Sequence, residues 1–292
     1  MDIQRNSIRL LEGESSITLN ELRDNLQQIG KFDPTRHDDS VLVRFLRARQ
    51  FNLEKSQLMI SDYEDWRNKN NIEDIVQNFA FTEHKEVHQV FPRFYHGIDK
   101  QGRPIFINQH HNLDAKKLFA ITTEERLLHH HIREQERCLR YRLPACSIKA
   151  GTSVEQVVLI LDAHKYPFLQ FQQVKGFIQK ITSISSDYYP ETLAKIFIIN
   201  TGMFFPTIWT IFKNFFDKKT QSKISILGTN YQKDLLEYID ADQLPKFYGG
   251  TCTCVGGCEN GDFGPWSDGT VEGYPKSEWD FSIRDCQTKS VA

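Results

Sequence analysis

Four short runs constrain this chain more than anything else in it: "RPIFIN" from Arg103, "VVLILD" from Val157, "KIFIIN" from Lys195 and "KISILG" from Lys223. Each is about one strand long and apolar almost throughout. A strand that is apolar on both sides must be covered on both sides. The segments at 124–141 and 168–186 lie between these runs and read as helices, so the order alternates β with α. That alternation predicts an α/β fold, a mostly parallel sheet with covering helices. Residues 18–78 differ in texture. "SVLVRFLRARQF" repeats apolar positions at helical spacing (Val41, Leu42, Phe45, Leu46), and Asn52 is placed to cap the next run, "LEKSQLMISDYEDWRNKN". The expected division is a helical subdomain over 1–85, an α/β domain over 86–250, and a tail over 251–292. The tail is rich in glycine and cysteine and would pack over the domain through Phe263 and Trp266. "GIDKQGRP" punctuates the entry to the first strand with Asp99, Gly102 and Pro104.

Composition narrows the functional classes. The 292 residues are 25% charged with a formal net charge of -2, which gives no electrostatic reason to expect nucleic acid. The first residues lack an apolar signal core and no run is long enough to span a bilayer, so a cytosolic, soluble and monomeric protein is expected. No phosphate-binding glycine loop, H-E-x-x-H or G-x-S-x-G occurs, and no nucleophile, base and oxyanion set assembles, so no enzyme is expected. Asp162 ends a strand and reads as a turn or cap residue. The histidines at 129–131 point to different sides of a helix and read as a solvated face, as do His110 and His111. Cys252, Cys254 and Cys258 would hold zinc only with a fourth ligand from elsewhere, and C-x-C-x3-C is not a common finger spacing. The preferred reading is a loop with reduced thiols, with no metal and no cofactor.

One segment is far more apolar than its surroundings, "MFFPTIWTIFKNFFDKKTQSKISIL" from Met203. At 100° per residue Phe205, Ile208, Trp209, Phe212 and Phe216 share a face, flanked by Phe204, Ile211 and Phe215. Thr207, Thr210, Lys213, Asn214 and Asp217 fill the opposite arc, and Pro206 suits the first turn. Periodicity alone leaves two readings open, a core-facing helix or a helix that meets lipid.

Several blocks occur together in order: "DDSVLVRFLRARQFN", "YHGIDKQGRPIF", "RYRLPACS", "SSDYYPETLAKIFIIN", "SKISILG" and "LPKFYGG". Over roughly 36–270 they resemble the CRAL-TRIO lipid-transfer family, most of all the fungal-type phosphatidylinositol/phosphatidylcholine transfer proteins. "GGTCTC…GGC…GPW" also resembles the tail of related members, which weakens the zinc reading. The resemblance implies a cavity that encloses one phospholipid, with Met203 to Asp217 as its gate. It also implies a phosphatidylinositol ligand, transient contact with a membrane surface such as Golgi or endosome, and presentation of lipid to a lipid kinase.

Carried over residue by residue, the inositol headgroup site is Arg49, Glu191, Thr220 and Lys223: two cations and a hydroxyl for a phosphodiester, an acid for a polyol. Gln50 stands where many relatives carry Lys. The choline headgroup site matches at Tyr95 only. Phe106, Gln135, Val157 and Leu159 replace Tyr, Tyr, Ser and Thr; Val157 and Leu159 would face one side of a strand, so if that side is the cavity it has become apolar and phosphatidylcholine binding is weakened. A sterol, a squalene-like lipid or haem are the alternative ligands. "HKY" offers His164 and Tyr166 for the last. A lipid-regulated protein-interaction module is a further alternative.

Overall fold

The helices that precede the sheet form where capping and apolar spacing agree. The structure, a computed structural model, describes residues 14–110, 113–165, 168–203 and 205–279; His111, Tyr166, Phe204 and Cys286 lie outside them. The helices are α1 (Glu14–Gln28), α2 (Asp39–Ala48), α3 (Leu53–Lys69), α4 (Ile72–Asn78) and α5 (His84–Val90). Asp38 caps α2 by accepting from the Val41 amide at 2.9 Å, and Asn52 caps α3 from Lys55 at the same distance. α1, α2 and α3 close a small core around Leu22, Leu26, Leu42, Phe45, Leu46 and Ile60. A buried polar seam ties that layer to the rest. Arg67 donates to Glu136 at 2.6 Å, the Tyr189 hydroxyl donates to the same carboxylate at 2.8 Å, and Arg44 reaches the Pro190 carbonyl at 3.5 Å.

The sheet follows: β1 (Arg93–Ile98), β2 (Pro104–Gln109), β3 (Val157–Asp162), β4 (Leu193–Ile199) and β5 (Ile224–Ile226), paired in that order. Only the β1–β2 hairpin is antiparallel. β1 is the strand that pattern did not reveal. "RFYHGI" mixes charge with aromatics, and Gly97 sits at φ +68 where a Cβ would lie 2.4 Å from the Gln243 carbonyl oxygen. Asp99 builds the hairpin turn with its carboxylate, accepting from the Gln101 and Arg103 amides at 2.9 Å.

Covering helices connect the strands: α6 (Ala115–Ile121), α7 (Glu124–Arg137), α8 (Leu143–Ala150), α9 (Phe168–Tyr188), α10 (Phe205–Phe212), α11 (Lys218–Ser222) and α12 (Gln232–Tyr238). α7 runs into α8 through a π-helical turn at Cys138–Arg142. The strands alternate cleanly. Phe94, Ile105, Ile107, Val158, Ile160, Phe197 and Ile199 pack against Tyr231, Leu235, Ile239, Leu244 and Tyr248 on one face. The intervening residues face the other way and border a cavity. The tail lies along the edge of β1, where Phe263 bonds Tyr95 and Gly97 main chains at 3.1 and 2.8 Å. Trp266 is fully buried and receives the Tyr141 hydroxyl on its carbonyl at 2.6 Å.

Three expectations change. The amphipathic helix is shorter than Met203–Asp217: α10 stops at Phe212, a 3₁₀ turn covers Lys213–Phe215, and Phe216 is extended. The Gln221 amide caps the break, donating to the carbonyls of Lys213 and Phe216 at 3.0 and 2.9 Å. Phe216 therefore does not share a helical face with Phe205. The histidines at 129–131 do diverge, but not into water. His130 is buried and stacked on Phe81 with ring centroids 4.4 Å apart, and His131 faces the cavity. Asp162 proves more than a turn residue: it accepts from the His164 amide, Asn200 and the Tyr248 hydroxyl at 3.0, 2.9 and 3.1 Å.

Candidate functional site

The cavity has a volume of about 350 Å³, far beyond the roughly 10–15 Å³ that one water needs. Its floor is the second face of the sheet: Phe106 on β2, Val157, Leu159 and Leu161 on β3, Ile196 and Ile198 on β4. Val157 and Leu159 thus share a side, as strand spacing demands, and that side is the cavity. Phe171, Phe177, Ile178 and Ile181 of α9 form one wall. Phe205, Ile208 and Phe212 of α10, with Phe216 beyond it, form another. Trp209 packs with the same apolar cluster and meets the Phe212 ring at 6.2 Å, but does not line the space. Thr207 and Thr210 are on the exposed side of α10, as the amphipathic pattern requires.

Arg49, Glu191, Thr220 and Lys223 all line this one cavity, although they come from the end of α2, the turn before β4, and α11 with its cap. The backbone there is bent in unusual ways. Gln50, Phe51 and Glu191 are non-glycine residues at φ +53, +60 and +60, a conformation that costs about 1–2 kcal/mol each. Glu191 accepts from Lys219 at 2.5 Å, so the acid arrives with a cation that spacing arguments passed over in "KKTQSK". Lys223 donates to the Leu193 carbonyl at 2.6 Å. Burial pulls its pKa below the ordinary lysine value, and Glu191 works against that shift. Asp217 caps α11 through the Thr220 amide at 2.6 Å, which fixes the Thr220 position.

The opposite end of the cavity is more polar than expected. Tyr95 and Phe106 stack there at 4.6 Å, and the Arg142 guanidinium lies 3.9 Å from the Tyr95 ring centre. His131, Glu134 and Gln135 of α7 line the same space at i, i+3 and i+4, together with Arg93, Asn108 and Ser185. Their accessible surface faces the cavity rather than bulk water. Burial pushes His131 down to about 3, so it is neutral, and its Nε2 shares the Ser185 hydroxyl with Gln135 at 3.1 and 3.2 Å. Burial would raise the Glu134 pKa, but Arg142 at 2.7 Å and Arg137 outweigh it and hold the carboxyl well below the carboxylate range. Burial lowers Arg93 to about 10, so it stays charged; the partners that the structure gives its guanidinium are the Phe91 ring at 4.8 Å and the charge of Glu134. The side that carries Val157 and Leu159 is thus apolar sheet floor, while the wall built by α7 is polar. In sequence those polar positions look like any solvated helix stripe, because helical spacing does not tell water from a polar cavity. His164 is exposed in the turn after β3 and is not part of the lining.

Comparison with known proteins agrees with this architecture. The CRAL/TRIO domain matches residues 88–250, and the CRAL/TRIO N-terminal domain matches residues 18–62. The Sec14 cytosolic factor of Schizosaccharomyces pombe is 42% identical over 258 residues, covering 88% of this chain and 90% of that protein. The Arabidopsis thaliana phosphatidylinositol/phosphatidylcholine transfer protein SFH4 is 39% identical over 284 residues, covering 92% of this chain and 47% of that protein, so this chain spans about half its length. The crystal structure of Sfh5 superposes with a TM-score of 0.68 at 15% identity, covering 94% of this chain and 97% of that one, a likeness of fold alone.

Proposed function

The chain belongs to the CRAL/TRIO family, and from that premise we propose that it binds phosphatidylinositol and transfers it between membranes. One observation carries the reading: a single cavity joins an apolar interior to a mouth where Arg49, Thr220, Lys223 and Glu191 converge beside an apolar helix. Acyl chains gain about 0.8 kcal/mol per CH₂ on leaving water, so a carrier must enclose them completely while it travels. Phe205, Ile208 and Phe212 provide that enclosure. Arg49 and Lys223 suit the phosphodiester, Thr220 donates to it, and Glu191 accepts from inositol hydroxyls.

In this proposal α10 is the gate. Exposed Leu169 and Met203 follow the adjacent parallel strands β3 and β4, so both lie at the same end of the sheet, where apolar side chains can enter a bilayer. Among the described residues no helix is long and apolar enough to cross a membrane, in keeping with transient contact. Cycling at cytosolic faces such as Golgi or endosome, and delivery of lipid to a lipid kinase, belong to the same proposal.

Arg93, Gln135, His131 and Ser185 favour a second ligand with a polar or anionic group over a sterol or a squalene-like lipid. An apolar ligand would offer the Arg93 guanidinium no acceptor and leave Glu134, which Arg142 and Arg137 also share, as its opposing charge. The experiment is mass spectrometry of lipid extracted from the purified protein, paired with transfer between vesicles. Bound phosphatidylinositol and its transfer are expected. Extracts that hold only sterol, or transfer no faster than a buffer control, contradict the proposal.

A further inference from the structure

The glycine-rich tail begins with a feature that lipid carriage does not use. Cys252, Cys254 and Cys258 come together with His96 of β1, and the four donor atoms lie within 4.8 Å of one another. The spacing C-x-C-x3-C supplies three ligands and leaves the fourth unassigned; the fold brings it from a strand more than 150 residues away in sequence. The Cys254 sulfur is 3.5 Å from the Cys252 sulfur and 3.5 Å from His96 Nε2. Around a tetrahedral zinc with Zn–S of about 2.3 Å and Zn–N of about 2.0–2.1 Å, such edges fall at about 3.5–3.8 Å. At 3.5 Å the sulfurs are far outside disulfide bonding distance, about 2.05 Å.

The surroundings are built for a metal. His96 is buried, and its Nδ1 donates to the Gln243 carbonyl at 3.2 Å, which leaves the Nε2 lone pair aimed at the thiols. A main-chain acceptor behind a ligating imidazole is the usual outer-shell partner. The Cys254 amide points at the Cys258 sulfur at 3.4 Å. Gly256 and Gly257, at φ +88 and +96, fold the chain back between those two cysteines. Three thiols and one imidazole are a soft donor set suited to zinc rather than to magnesium or calcium.

We propose that His96, Cys252, Cys254 and Cys258 form a structural zinc site that clamps the tail to the edge of β1. The site lies behind the cavity wall. His96 points away from the cavity while its neighbour Tyr95 points into it. A few residues past Cys258, Asp262 accepts from Arg142 at 2.7 Å, and the Trp266 ring lies 6.0 Å from that of Tyr95. Metal held there would stiffen the choline-side wall without touching ligand.

The test uses the full chain. Metal analysis of protein purified under reducing conditions should find about one zinc per chain. Cobalt(II) added to the chelator-treated, reduced protein should give the visible d–d bands of tetrahedral cobalt with thiolate charge transfer. Cys254→Ser and His96→Ala should lose most of the metal, His96→Cys should keep it with a shifted cobalt spectrum, and Cys146→Ser should leave the metal content and the cobalt spectrum unchanged. Should the cysteine variants fold poorly, the wild-type chain still decides: a chelator should lower its melting temperature, and zinc should restore it. Zinc far below stoichiometric with no tetrahedral cobalt spectrum in folded protein overturns the proposal. So does full metal content in Cys254→Ser or His96→Ala, or copper in place of zinc.

Discussion

The two faces of the sheet carry nearly the same residues and lead different lives. On one face Val158, Ile160, Phe197 and Ile199 are sealed under α12 and the segment that follows it, essentially without exposure. On the other face Val157, Leu159, Leu161, Ile196 and Ile198 keep accessible surface toward the cavity or line it directly. Hydrophobicity does not distinguish them, since Ile160 and Leu159 are neighbours in one run. What differs is the cover. The first face meets side chains that fill it, and the second meets α10, which ends after two turns, and a space. A strand pattern specifies that a face must be covered; it does not specify whether protein or ligand does the covering.

That contrast can be broken by experiment. Ile160→Ala removes a fully buried side chain from close packing, so it should cost about 2–5 kcal/mol in chemical denaturation. Leu159→Ala enlarges a space that already exists and should cost about 1 kcal/mol. Equal losses at the two sites would mean that both faces are ordinary core. The double change Arg49→Ala with Lys223→Ala removes two charge-assisted contacts proposed at the mouth, each worth about 1.5–3 kcal/mol, and should slow phosphatidylinositol transfer tenfold or more at near-normal stability. Unchanged transfer would detach those residues from the ligand.

The smallest effect concerns acid. Burial would raise Glu73 and Glu83, but bonds from Arg140 and Arg67, and from Arg126 and Thr122, win and hold both at about 2 against an ordinary 4.5. A depressed folded value means stability that is present above about pH 4.5 and drains away as pH falls toward 2. Both carboxylates join the N-terminal helices to α7 or the turn that follows it, not to either face of the sheet. Acid sensitivity measured by urea unfolding should therefore persist in lipid-free protein, because these two carboxylates lie away from the cavity. A flat profile between pH 6 and pH 3 would contradict the ion pairs.

Much of this was legible in the chain, for reasons that differ by residue. β2, β3, β4 and β5 announce themselves as apolar runs, and Asn52 acts through local capping chemistry that spacing reveals. β1 stays hidden because it holds Arg93, Tyr95 and His96, residues placed for the cavity and the tail rather than for strand formation. Arg49, Glu191, Thr220 and Lys223 were reachable only through resemblance, since no local rule brings the end of α2 next to α11. His131 and Glu134 were missed because a polar helix stripe facing a cavity is spaced like one facing water, whereas Gln135 was placed at the cavity by resemblance. His96 was missed as a partner of the cysteines because chain distance hides a contact made across the edge of a sheet.

The account turns on α10 being a cover that moves rather than a piece of core. Phe212 tests it, because its half-buried ring lines the cavity among Phe171, Phe215 and Phe216. Phe212→Asp places a carboxylate where the helix must cover acyl chains and enter the bilayer, and its desolvation should obstruct both. Lipid exchange between vesicles and thermal unfolding are measured on the same preparation. The account predicts exchange reduced by about tenfold or more with a melting temperature within about 3 °C of the unmodified protein. Collapse of the melting temperature, or exchange at the normal rate, would contradict it.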